Sequence, residues 1–164
     1  MRLRRRMQTV ITALLIVHGL FAVALIGSVT HQAVAATLKR VEFRARTRYG
    51  RIRATDPNLY TGTIAILFLI VAVMGAVLYP QYRLVVRPLV QSMDLRAANG
   101  AFELKEHFSA LGLLMLPAYW AAWKHTNAAE YEIARLWLTW MLTGFVWWNF
   151  VTGQLLTVIK GLFA

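Results

Sequence analysis

The sequence of 164 residues contains no cysteine, which removes disulfides, thiolate metal or iron–sulfur sites and a cysteine nucleophile from its repertoire. Acidic side chains are scarce as well, with 7 Asp and Glu against 18 Lys and Arg and a formal net charge of +11, and no acidic metal cluster can be assembled from neighbours. A nucleotide-binding loop, an HExxH helix and a GxSxG elbow are all missing. Catalysis by this chain alone is therefore not expected.

Apolar residues fill the space that charge leaves. The chain is 59% hydrophobic and 15% charged, with mean hydropathy +0.52, a balance foreign to soluble globules. Residues 7–38, 57–82, 108–123 and 136–159 are free of Asp, Glu, Lys and Arg. A hydrocarbon core of ~30 Å takes about 20 helical residues, so three runs suffice unaided and the third must recruit its flanks. The expected fold is an all-α integral membrane protein, a single domain of four transmembrane helices at about 7–36, 57–80, 102–124 and 132–160. The start, MRLRRR before an apolar run and Ala33-Val34-Ala35, imitates a secretory signal. Its apolar run is roughly twice the length of a signal h-region, and retention as the first helix is the expectation.

Asp56 and Pro57 mark the second helix's start, and Tyr79-Pro80 its end. The stretch 80–100, with Pro88 and the Asn99-Gly100 turn signal, reads as a surface connector holding a short interfacial helix. Pro117 should kink the third helix. Fourteen of the 18 cations are arginine, which with abundant Ala, Leu and Val suits a GC-rich bacterial genome and a bacterial inner membrane. Across four spans the Lys and Arg divide 9 against 9, and only the weight of the first helix favours both termini inside.

Histidine is the polar residue that carries most information, because imidazole ligates haem and ionisable groups inside a membrane are costly. His18 lies near the middle of the first helix and His107 in the first turns of the third. This chain resembles the four-helix membrane cytochromes of b type in helix number and in histidines on helices one and three. The resemblance implies one haem b between His18 and His107. Two haems are not expected, since His18 and His31 are 13 residues apart and thus roughly 140° apart around the helix. The plainer reading gives His18 a local hydrogen bond and leaves His31 and His125 at the interfaces.

Glu103 and Glu106, beside His107, are candidates for a proton relay or a quinone headgroup site, against the simpler role of acids at a helix N-terminus. The segment RVEFRARTRYGRIR makes Arg44, Arg46, Arg48, Arg51 and Arg53 candidates for docking lipid or a partner protein. Nucleic acid is not an expected partner, because a short loop between spans carries no recognition fold. Trp137, Trp140, Trp147 and Trp148 give the fourth helix more aromatic surface than a thin four-helix protein needs. Together these features suggest a small non-catalytic accessory subunit of a respiratory or photosynthetic electron-transfer complex, packed on other membrane subunits. A b-type cytochrome is the alternative, and a proton- or solute-conducting oligomer the second.

Overall fold

The computed structural model describes residues 2–40, 56–124 and 129–163, and all regular structure among them is helical. Helix α1 is Arg2–Arg40 and α2 is Leu59–Gln81. A π-helical turn, Tyr82–Val86, leads directly into the short α3, Arg87–Ser92. The long α4 is Arg96–Lys124, and a 3₁₀ turn at Ala129–Tyr131 opens α5, Glu132–Phe163. Three segments are long and apolar enough to cross a membrane: Arg5–Leu38, Leu59–Ser92 and Ala129–Ile159. Helix α4 falls short because Glu103, Lys105, Glu106 and His107 occupy its first half.

Local chemistry sets the helix ends. The Asp56 carboxylate accepts the Asn58 N–H at 3.0 Å, and the Asp56 carbonyl accepts the Leu59 N–H, so the chain winds into α2 two residues after the expected start. Neither Pro80 nor Pro88 ends the helical path. Proline's ring crowds the carbonyl four residues before it and its nitrogen cannot donate. The wider π turn answers this near Pro88, with the Arg87 N–H reaching back to the Tyr82 carbonyl.

The break comes later, at Met93–Leu95. Asp94 takes φ 50°, the left-handed position usually given to glycine, while its N–H bonds the Gln91 carbonyl and the Leu95 N–H bonds the Val90 carbonyl. Aspartate tolerates this conformation better than most residues. The turn expected at Asn99-Gly100 is therefore helix instead: both lie in the first turns of α4, where Asn99 Nδ2 donates to Glu103 Oε1 at 2.9 Å. The third long helix correspondingly begins at Arg96 rather than near Phe102.

Helix α1 packs on α2 and α5, while α4 packs on α2 and α5. One cluster of buried side chains takes residues from all four: Leu25 and Val29, Ile64 and Phe68, Leu116 and Trp123, Leu142 and Val146. A second, smaller cluster joins Val90 of α3 to Phe102 of α4 and Leu156 of α5. Gly112 lets α4 approach α2, since a Cβ there would collide with the ring of buried Phe68.

Between α1 and α5 the contacts recur with a regular step. Trp140 Nε1 donates to Thr37 Oγ1 and Trp147 Nε1 to Thr30 Oγ1, each at 3.0 Å. The tryptophans advance seven positions as the threonines retreat seven, which is the register of two antiparallel helices meeting along one face. Threonine and indole satisfy one another there and leave no bare polar group on an apolar seam.

Candidate functional site

Two groups of polar side chains lie between the long helices. In the first, Tyr119 and Gln32 are completely buried. The Tyr119 hydroxyl donates to Gln32 Oε1, and Gln32 Nε2 donates to the Pro57 carbonyl at 3.0 Å and to Thr61 Oγ1 at 3.1 Å. Close by, Trp123 Nε1 donates to Thr139 Oγ1, whose own hydroxyl donates to the Arg135 carbonyl. Donors and acceptors match, so this knot ties α1, α2 and α4 together without leaving a group free for chemistry.

The second group is incomplete. His18 lies half-buried against Gly75 of α2, where a Cβ would stand 3.8 Å from its Cε1, and its Nδ1 is buried without a hydrogen-bond partner. On α4, Lys105 is partly buried. The lysine stem runs beside Gly153 of α5, and its Nζ lies 5.3 Å from the centre of the Phe102 ring. Phe102 in turn stacks on Tyr82 at 3.4 Å between centroids, and the Tyr82 hydroxyl is a second buried atom without a partner. Lys105 forms no salt bridge among the described residues.

Helix periodicity explains why the two groups occur in parallel. Gln32 follows His18 by 14 residues and Tyr119 follows Lys105 by 14. Fourteen residues are almost four turns and ~21 Å, so each pair shares a face of its helix. Helices α1 and α4 run in the same direction along this face, one polar pairing near each end.

His107 lies elsewhere. It follows Lys105 by two residues, about 200° around α4, and it is exposed. Lys105 and the histidine expected to share a haem with His18 thus leave α4 on opposite sides. His107 Nδ1 lies 2.7 Å from the Glu103 carbonyl. A carbonyl only accepts, so Nδ1 carries the proton in this contact and Nε2 is left without a partner among the described residues.

Glu103 is exposed and held by Asn99 and, at 3.8 Å, by Arg87 Nη2, while Glu106 is exposed one position beyond Lys105. The relay suggested by these two acids is therefore bordered by an arginine that competes for Glu103. His31 packs on the Tyr60 ring at 4.9 Å, with its Nδ1 buried and without a partner. No group of three or more His, Asp or Glu side chains converges as a metal site among the described residues. Arg44, Arg46, Arg48, Arg51 and Arg53, with His125, lie outside the described residues.

Sequence reading passes over Gln32 and Tyr119, and takes Tyr82 and Lys105 only as anchors in the headgroup region. Gln32 carried a signal, since a lone amide in an apolar helix demands a partner. Lys105 carried none, because its charge alone does not tell which side of α4 it leaves. Comparison with protein-family models, with curated protein sequences and with solved structures finds no match to this chain.

Proposed function

We propose that this chain is an integral protein of a bacterial inner membrane, with both termini inside, and that it serves as a small non-catalytic subunit packed against other membrane subunits. The observation that carries the reading is the uncovered tryptophan face of α5. Trp148, near the middle of that helix, is 39% exposed, and Trp137 and Met141 extend the same uncovered surface. Tryptophan facing lipid gathers at the membrane interfaces, so mid-helix indoles suit a protein neighbour. The apolar segments themselves have little cover, with 6% of the α1 window, 22% of the α2 window and 28% of the α5 window buried. Lipid and partner helices supply the rest. A respiratory or photosynthetic electron-transfer assembly is the setting that the membrane histidines suggest.

Photo-crosslinking in native membranes tests this, with the probe placed at Trp148 on α5 and, for comparison, at exposed Val73 on α2. One defined partner chain should be captured in stoichiometric amount from position 148 and only lipid from position 73. Lipid alone at both positions overturns the reading.

A b-type cytochrome is the second reading, and it is favoured by the tautomer of His107, which leaves Nε2 free on the outer face of α4. A haem held there would lie at the protein surface against a partner rather than between α1 and α4. A reduced-minus-oxidised spectrum of the purified assembly should then lose an α-band in His107→Ala. An unchanged spectrum rejects that ligand.

A further inference from the structure

The turn between α3 and α4 opens a cavity of about 370 Å³, lined by Val90 and Gln91 of α3, Asp94 and Leu95 of the turn, and Arg96 and Asn99 of α4. Val90 is fully buried and gives the cavity an apolar wall, while Asp94 and Arg96 are exposed. These two charges meet in one contact, Arg96 Nε donating to Asp94 Oδ1 at 2.9 Å. It leaves the terminal nitrogens of Arg96 and Oδ2 of Asp94 without a partner among the described residues. Asn99 gives its Nδ2 to Glu103 and keeps Oδ1 as an acceptor, and Gln91 adds a second amide.

The paired charges select what can bind. An exposed ion pair contributes little to stability and opens readily. A simple anion gains at Arg96 and is repelled by Asp94, and a simple cation meets the reverse. A ligand that carries both charges a few bonds apart gains at both. Among the described residues no aromatic ring lines the cavity, so nothing there suits a quaternary ammonium, whereas carboxylate and amide oxygens suit a primary ammonium that donates hydrogen bonds. The cavity follows directly on the segment Leu59–Ser92, which is long and apolar enough to cross a membrane. Within that segment the Arg83 guanidinium bonds the Tyr79 hydroxyl at 3.0 Å in the pattern of a headgroup girdle, and exposed Leu84 and Val85 offer acyl chains an apolar surface. We infer that the Asp94–Arg96 cavity binds the headgroup of a zwitterionic membrane lipid with a primary ammonium, phosphatidylethanolamine. Arg96 takes the phosphate, and Asp94 with the amide oxygens takes the ammonium. The inference rests on the membrane placement proposed above but not on the identity of any partner.

The test places the full chain in discs of phosphatidylcholine supplemented with phosphatidylethanolamine or with phosphatidylglycerol, followed by native mass spectrometry after mild extraction. One phosphatidylethanolamine should be retained per chain, and retention of either other lipid should be about tenfold lower, the scale of a lost charge-assisted hydrogen bond. Asp94→Asn and Arg96→Gln should each lower phosphatidylethanolamine retention by about the same factor. Asparagine tolerates the left-handed conformation of residue 94, so the first variant keeps the turn and removes only the charge, and it decides even if Arg96→Gln fails to fold. Arg5→Gln, at the exposed start of α1, should leave retention unchanged. Equal retention of the three lipids, or retention indifferent to Asp94 and Arg96, overturns the inference. A preference for phosphatidylglycerol also overturns it, because the site would then be a plain anion site. Displacement by free phosphoethanolamine at matched concentration overturns the lipid as its source. Carbonate extraction separates the two levels: a chain that stays in the membrane yet retains no phosphatidylethanolamine refutes the headgroup site alone.

Discussion

The Tyr119 end and the His18 end of the interior are built on the same two helix faces, yet they use polar residues in opposite ways. Around Tyr119, a hydroxyl, an amide, a threonine and a backbone carbonyl satisfy one another in full burial. Elsewhere in the interior, the His18 imidazole nitrogen and the Tyr82 phenol lack partners, and Lys105 forms no salt bridge among the described residues. Buried polar groups hold a fold together when they are matched and call for something further when they are not. The first region is accordingly structural, whereas the second holds the unmatched groups.

Mutation should separate the two regions sharply. Gln32→Ala strands the Tyr119 hydroxyl, Thr61 and the Pro57 carbonyl at once, and should lower stability by about 3 kcal/mol, since each stranded group costs about 1–3 kcal/mol. An SDS or urea unfolding titration measures this, and a loss below about 1 kcal/mol would mean that water replaces the amide easily. Next in size is Gly112→Ala, which forces a methyl group into the Phe68 ring and should cost about 2 kcal/mol by overpacking. Its signature is rescue, with Phe68→Leu restoring much of the loss in the double variant.

Lys105→Met should change stability by less than about 1 kcal/mol, because a partly buried charge that forms no salt bridge among the described residues sacrifices no matched partner. A large loss in an unfolding titration would show that Lys105 is as structural as the Tyr119 group. The smallest effect is expected for Arg87→Gln. Its contact with Glu103 is 3.8 Å long and partly exposed, so the change should be within about 0.5 kcal/mol and shrink further in salt.

The sequence made the helices legible and left their rotation dark. Long runs without charge announced three segments of spanning length, and the acids and lysine of 103–106 correctly marked α4 as different. The break after α3 was misplaced because Asn99-Gly100 is the commoner turn signal, whereas the turn uses Asp94 in a left-handed conformation more often taken by glycine. Singling out His18 as a polar residue of interest needed only its burial in an apolar run. Placing Lys105 required the phase of α4, which comes from packing such as that of its stem beside Gly153 and not from any local pattern. For the same reason, Lys105 and His107 looked like one cluster in the sequence and stand on opposite sides of the helix.

The paired Trp–Thr contacts between α1 and α5 also set a timetable. Gln32 meets Pro57 and Thr61 soon after they are made, so α1 and α2 can join as a pair early. Thr37 must wait for Trp140, 103 residues later, which at synthesis rates of about 5–20 residues per second is about 5–20 s. During that interval one flank of α1 lacks the cover of α5, and a neighbour that stays there excludes it. Helix α5 thus closes the seam by displacing whatever has held its place.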